Sequence, residues 1–308
     1  MKWLIPIGIV AGLICANAWM FVANIIHSRE FPTTAPVFHT AEAFVLPLSQ
    51  PNYLPLRDER DGGPNLDAKA AIVYDVKSDR DLFARNPDEK LPIASLTKIL
   101  NAVVVWERFS PNEIATVQPT AVKVDGERQD LFVGETISIN SLLRLMLIES
   151  SNDAAYALRD YAQTQGIDLI AEMNAKAAAL GMTSTHIVDA AGLDDSGYST
   201  AHDLIKIVSY GLRYDALWNF SRERTAVVAS ADGSIAHEIK STNELLGKLA
   251  DIFGGKTGYT DSALGCIMLI VQAPEADDKI IAIVLGSTGR FEAMSQLVAW
   301  TKQAYRWQ

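Results

Sequence analysis

The chain has 308 residues, 49% of them hydrophobic and 21% charged, so it can bury a full core and is neither disordered nor of low complexity. Its 27 basic and 37 acidic side chains leave a net charge of −10 with no long basic run. That balance argues against nucleic acid as a partner and gives the body no attraction to anionic lipid. The two cysteines, Cys15 and Cys266, sit in separate apolar runs, which excludes a disulfide framework or a cysteine zinc site.

From Trp3 to Ile26 there are 24 positions without a charge. As a helix this run spans roughly 36 Å, enough for a hydrocarbon core of about 30 Å. Lys2 and the α-amino group precede it and His27-Ser28-Arg29-Glu30 follows, a charge bias that places the N-terminus inside and exports the body. Residues 1–27 therefore read as a single-pass membrane anchor. A cleaved signal peptide, with a secreted body, is the alternative, because Ala16-Asn17-Ala18 resembles a cleavage site; against it, the apolar run continues for eight residues past Ala18. Six of the twelve prolines then fall between Pro32 and Pro64, so residues 28–66 read as a proline-rich tether, partly packed on the body.

Residues 67–308 alternate strand and helix patterns. Ala70 to Val76 and Leu82 to Ala84 read as strands joined by the turn Lys77-Ser78-Asp79-Arg80. Ser95 to Phe109 reads as a helix apolar nearly all round, hence buried. Helices are expected over Ser141 to Ile148 and Asp153 to Ala162, separated by Glu149-Ser150-Ser151-Asn152. Further helices are expected over Ile167 to Leu180, ended by Gly181 in a left-handed conformation, and over Ala201 to Gly211, capped by Ser199 or Thr200. Strands are expected at Ala226 to Ala229, Leu264 to Val271 and Ile280 to Leu285, and a last helix from Phe291 to Tyr305. Strands at both ends with helices between them imply an α+β fold: an antiparallel sheet flanked by helices and holding an inserted helical lobe.

Three short patterns carry chemistry. Ser95-Leu96-Thr97-Lys98 puts a hydroxyl and an amine one helical turn apart. A serine becomes a nucleophile when an adjacent base takes its proton, and a lysine serves as that base once burial or a second cation lowers its pKa. Average usage gives about one Ser-x-x-Lys by chance in a chain of this length, and an N-cap serine with a solvated lysine would look the same. Ser150-Ser151-Asn152 sets a hydroxyl and a carboxamide in the break between two helices, where one can relay a proton and the other hold an amide. Here too Ser150 or Asn152 could simply cap the following helix. Gly254-Gly255-Lys256-Thr257-Gly258 offers a cation and a hydroxyl to an anion, most simply a carboxylate, beside glycines that allow close approach; otherwise it is an ordinary turn into the strand at Leu264. A Walker loop is excluded, because Ala250 stands where its first glycine belongs. The histidines show no ligand spacing and read as structural or solvated, so no metal and no cofactor is expected.

Taken together and in this order, the three patterns resemble the penicillin-recognising serine enzymes, whose motifs are of these types. The resemblance is closest to the low-molecular-weight penicillin-binding proteins, the serine-type D-alanyl-D-alanine carboxypeptidases of peptidase family S11. Pro92-Ile93-Ala94 before the first motif, Leu180 to His186, Ala191-Gly192-Leu193-Asp194-Asp195, Tyr198-Ser199-Thr200 and Tyr259-Thr260 after the third extend it from about residue 67 to the end. It implies the β-lactamase/transpeptidase-like fold and a peptidoglycan stem peptide as substrate, with β-lactams as covalent inhibitors. It further implies that Ser95 attacks the carbonyl of the penultimate D-alanine, that Lys98 accepts the serine proton, and that Ser150 passes a proton to the leaving nitrogen. Asn152 would position the peptide amide, Lys256 and Thr257 would hold the terminal carboxylate beside Gly258, and the backbone N–H groups of Ser95 and Tyr259 would form the oxyanion hole. Lys256 would also supply the second positive charge that keeps Lys98 neutral.

Two departures bear on activity. Many family members carry a further β-rich domain and a C-terminal amphipathic anchor, whereas this chain stops one helix after its last strand; short members include endopeptidases that cut peptide cross-links, which is the alternative activity. Class A β-lactamases share the motifs but add a glutamate in a Glu-x-x-Leu-Asn loop, which Gly192-Leu193-Asp194-Asp195 does not reproduce, so slow release of bound penicillin is expected. A non-hydrolytic β-lactam sensor would use the same cleft, but would need a signalling module.

Overall fold

The computed structural model describes residues 54–58, 60, 62–122, 131–274 and 278–307. The expected anchor and most of the expected tether lie outside these residues. No helix among the described residues is long and apolar enough to cross a membrane.

A short strand β1 (Leu56–Arg57) leads to the hairpin β2 (Ala70–Asp75) and β3 (Arg80–Arg85). A helical lobe follows: α1 (Thr97–Arg108), the strand pair β4 (Ile114–Thr116) and β5 (Thr136–Ser138), then α2 (Ile139–Ile148), α3 (Asn152–Thr164), α4 (Leu169–Ala179), α5 (Ala201–Gly211) and α6 (Asp215–Arg222). The hairpin β6 (Thr225–Ala229) and β7 (Ala236–Lys240) closes the lobe. The chain returns through β8 (Ile252–Thr260), β9 (Leu264–Gln272) and β10 (Lys279–Ser287) and ends in α7 (Arg290–Ala304) and β11 (Tyr305–Arg306). The main sheet has five strands in the order β3-β2-β10-β9-β8, each pair antiparallel. This is the α+β architecture the sequence implies.

The central strands read as unbroken apolar runs because both faces of the sheet are covered. Side chains alternate across it. Ala70, Ile72, Met268, Ile270, Ile281 and Ile283 join the core of the helical lobe. Their neighbours Ala71, Val73, Ile267, Leu269, Ala282 and Val284 meet α7 through Met294, Leu297 and Val298. A one-residue slip would exchange these two sets, so packing fixes the register.

Residues 54–58 and 62–66, at the end of the expected tether, run along the body. β1 pairs with β11, Trp300 Nε1 donates to Gly62 O at 3.0 Å, and Arg85 Nη1 donates to Leu66 O at 2.6 Å.

Local rules place most helix ends. Ser138, Asp168 and Thr200 each accept a backbone N–H as N-caps of α2, α4 and α5. Gly181 adopts φ +70°, the left-handed turn expected after α4. Three expectations change. The helix expected from Ser95 starts as a 3₁₀ turn, Ala94–Leu96, and becomes α-helical only at Thr97. Ala226 to Ala229 belongs to the separate β6–β7 hairpin and not to the main sheet. Gly254 to Gly258 is no turn but the middle of β8, the sheet's edge strand. Helix α6 and the β4–β5 pair had no sequence expectation.

Candidate active site

The 3₁₀ turn lifts Ser95 out of the helix it precedes. Ala94 is held at φ +47°, a left-handed conformation that costs an alanine roughly 1–2 kcal/mol. Two glycines make that turn possible. A Cβ on Gly192 would lie 2.0 Å from Ala94 O, and one on Gly258 would lie 2.8 Å from Ser95 N. Strand β8 and the loop at 189–194 therefore press against the serine turn from two sides. No side chain caps α1, so the Ser95 hydroxyl is not spent as an N-cap.

Lys98, in the first turn of α1, is fully buried. Its Nζ contacts Ser95 Oγ at 2.7 Å, Asn152 Oδ1 at 2.7 Å and Ala191 O at 3.2 Å. Burial lowers its pKa to about 7, with the Asp189 carboxylate pulling the other way. A neutral amine has two protons and one lone pair. The two carbonyl oxygens can only accept, so they take both protons. The lone pair is then left facing the Ser95 hydroxyl, the arrangement a general base needs. Burial, not a second positive charge, is what lowers Lys98, so the role implied for Lys256 here is not required.

The loop behind Lys98 is itself held. Asp189 accepts four backbone N–H groups, from Ala191 and Gly192 at 2.6 Å, Leu193 at 2.9 Å and Asp194 at 2.8 Å. Asn101 Nδ2 adds a bond to Ala190 O at 2.9 Å. Ala191 O is thereby fixed over the lysine.

In the second motif the capping role falls to Ser151, whose hydroxyl accepts from Ala154 N at 3.1 Å. That frees both neighbours. Asn152 meets Lys98, and Ser150, at φ +68°, turns its Oγ to Lys256 Nζ at 2.7 Å. Lys256 also donates to Thr257 O at 2.8 Å. It is buried, and its pKa is driven well down by that burial, by Lys98 and by Arg290. Thr257 Oγ1 lies 2.6 Å from Thr242 Oγ1. Tyr259 stands exposed on the edge strand.

All these elements open on one cleft of about 390 Å³, lined by Ser95, Ser150, Asn152, Thr257, Gly258 and Tyr259. Lys98 and Lys256 lie beneath it, joined to its hydroxyls. The structure thus brings all eight sequence-chosen residues to one place. Four others were not foreseen as site residues: Asp189 and Gly192, which hold the loop behind Lys98, and Thr242 and Arg290, which line the cleft. An aspartate shortly before a glycine is a turn signal that could have exposed the first two. Nothing local marks Thr242 or Arg290, which reach the cleft only through the return of the chain.

A fold and cleft of this kind define a serine peptidase that works through an acyl-enzyme. The family model of the S11 peptidases, D-alanyl-D-alanine carboxypeptidase, matches residues 58–289. The chain belongs to that family. It is 31% identical over 253 residues to a D-alanyl-D-alanine endopeptidase of Pseudomonas aeruginosa, covering 80% of this chain and 79% of the relative. To a D-alanyl-D-alanine carboxypeptidase of Mycobacterium tuberculosis it is 34% identical over 203 residues, covering 65% and 69%. Among solved structures, a D-alanyl-D-alanine carboxypeptidase of M. tuberculosis superposes with a TM-score of 0.71 at 28% identity, over 79% of this chain and 94% of that one. The Streptomyces K15 DD-transpeptidase gives 0.71 at 25%, over 78% and 99%.

Proposed function

We propose that this chain removes the terminal D-alanine from peptidoglycan stem peptides by the following route, in the carboxypeptidase reaction its family performs. Ser95 Oγ attacks the carbonyl of the penultimate D-alanine while Lys98 takes its proton. Backbone N–H groups of Ser95 and Tyr259 meet the developing oxyanion. Ser150, bonded to Lys256, gives its proton to the departing amine as the C–N bond breaks, and the proton that Lys98 took from Ser95 passes on to Ser150, which leaves Lys98 neutral again. Water, activated by Lys98, then opens the Ser95 ester. Asn152 aligns the peptide amide. Thr257 donates to the terminal carboxylate, and Arg290 supplies positive potential there. A β-lactam enters by the same attack and acylates Ser95.

The observation that carries this reading is the 2.7 Å contact between Ser95 Oγ and the buried Lys98 amine. Purified protein incubated with a peptide ending in D-Ala-D-Ala should release free D-alanine and be labelled by fluorescent penicillin, and Ser95→Ala should abolish both. Labelling that persists in the variant would remove Ser95 as nucleophile. Stoichiometric labelling without release would favour the sensor reading. A second activity, endopeptidase cleavage of cross-links, is favoured by the similarity to the P. aeruginosa enzyme. Cleavage of cross-linked dimers with linear pentapeptide untouched would make it the principal one.

We further propose that residues 1–27 anchor the chain in the membrane, with the body on the extracytoplasmic side. The apolar run and its flanking charges support this. So does the point of entry: the chain reaches the body beside β11, at the C-terminal end of α7, whereas Arg290 at the other end of that helix lines the cleft. Fifteen helical residues separate the two ends by about 22 Å. Sequencing the N-terminus of protein from the membrane fraction tests the anchor, and a start past Ala18 would establish cleavage instead.

A further inference from the structure

We propose that Thr242 is a positioning residue for the substrate's terminal carboxylate, acting through the hydroxyl of Thr257. The inference rests on the reading of Thr257 and Arg290 as the carboxylate end of the cleft. Thr242 belongs to none of the three motifs. It comes from the segment after β7 and lines the cleft beside Thr257, with the two hydroxyl oxygens 2.6 Å apart.

The hydrogen-bond count assigns its role. Lys256 directs its amine to Ser150 Oγ and Thr257 O, and its surroundings disfavour its charged form. The motif's lysine is thus committed to Ser150, and the anion needs its donor from elsewhere. Two hydroxyls in contact share one proton between them and keep one O–H free. An anion in the cleft fixes the direction: Thr242 donates to Thr257, and Thr257 donates to the carboxylate. Each bond polarises the next. Without Thr242 the Thr257 hydroxyl is a free rotor, and fixing it costs part of the binding it gives.

The backbone around Thr242 is built to hold this geometry. Thr242 N donates to Ile148 O at 3.2 Å, at the end of α2 and two residues before Ser150. Ser241 N donates to Arg224 O at 2.9 Å. Asn243 is buried and its Oδ1 accepts from Leu245 N at 3.1 Å. The carboxylate end of the cleft and the Ser150 turn are therefore tied to one another by a backbone bond.

The test compares a peptide ending in D-Ala-D-Ala as the free acid with the same peptide ending in the carboxamide, using the full chain. Thr242→Val keeps the shape and removes the hydroxyl. For the acid, KM should rise about tenfold, the usual cost of a lost hydrogen bond to a charged group, with kcat within about twofold. The loss should be confined to the acid, and Thr242→Ser should restore it. Equal loss on acid and carboxamide, or no change in KM, overturns the proposal. If Thr242→Val lowers the melting temperature markedly, Thr242→Ala is measured in its place and must show the same selective loss. A wild-type enzyme that turns over acid and carboxamide alike would refute the underlying reading of a carboxylate site, a result distinct from failure of Thr242 alone.

Discussion

The two faces of the central sheet are built to different rules. Under α7 the interior is mostly apolar: Ile267, Leu269 and Val271 meet Met294, Leu297 and Val298, and the buried carboxylate of Asp75 accepts from Trp307 Nε1 at 2.9 Å. On the opposite face the helical lobe buries Lys98, Asn101 and Asp153, and Lys256 lies buried on β8 alongside. Backbone approaches there, at Gly192 and Gly258, leave no room for a methyl group. The first face gains stability by removing hydrocarbon from water. The second spends stability on desolvated polar groups and left-handed residues, Ala94 and Ser150, so that the reacting atoms are already in place. One sheet therefore serves as both foundation and workbench, and substitutions on its two faces should fail in different ways.

The sharpest test is Lys98→Ala. Loss of a positioned base should slow acylation by penicillin about 10²–10⁴-fold while the melting temperature changes little. In the wild type, acylation should fall about tenfold per pH unit below the Lys98 pKa of about 7, because only the neutral amine accepts the serine proton. A flat profile between pH 5 and 8 would deny Lys98 that role. Stability carries the same signature with a definite sign. Between about 7 and the ordinary 10.5 the unfolded chain holds a proton that the folded Lys98 lacks, so stability rises with pH across that window and is lowest below it.

Next in size is Gly192→Ala. Its Cβ would overlap Ala94 O at 2.0 Å and sit at φ +79°. Both stability, by more than about 2 kcal/mol, and acylation should suffer together, because the same loop holds Ala191 O over Lys98. On the other face, Leu297→Ala should cost about 2–5 kcal/mol of stability by opening a cavity and leave the acylation rate unchanged at temperatures where the variant is folded. An acylation defect in Leu297→Ala matching that of Gly192→Ala would erase the contrast between the faces.

How much of this was legible follows from where each signal lies in the chain. Capping and periodicity are local, so α5 emerged at its true bounds and α2 within two residues. Ser95 and Lys98 were readable because one helical turn joins them. The sequence leaves the Lys256 segment open between an anion-binding stretch and a turn because its glycines mask strand character; its role as an edge strand depends on pairing with Ile267, Met268 and Leu269, which no local window contains. Ser150 and Asn152 both reach the cleft because Ser151 takes the capping bond that the sequence offers to either neighbour. Thr242 and Arg290 act through contacts made across long stretches of chain, and single-sequence patterns carry no trace of them.

The smallest expected effect lies at the seam between the two architectures. His202, near the start of α5, bonds Asp88 through Nδ1 at 2.8 Å and Asp81 through Nε2 at 2.9 Å. Asp81 belongs to β3, the sheet edge opposite β8, so this contact fastens the helical lobe to the strand farthest from the cleft. A neutral imidazole has one N–H and cannot donate to two carboxylates; the geometry calls for the imidazolium. Burial opposes that charge, but the two carboxylates outweigh it and raise the pKa above the ordinary 6.5. The stabilisation is therefore complete below about pH 6.5 and disappears as pH climbs past the raised value. The side chain is one-third exposed, so each pair is worth less than about 1 kcal/mol. His202→Ala should lower the melting temperature by a few degrees at pH 5.5 and by less at pH 8.5, with penicillin acylation untouched at either. A melting-temperature loss equal at both pH values would show that the ring packs without its charge, and the two halves would then be joined by shape alone.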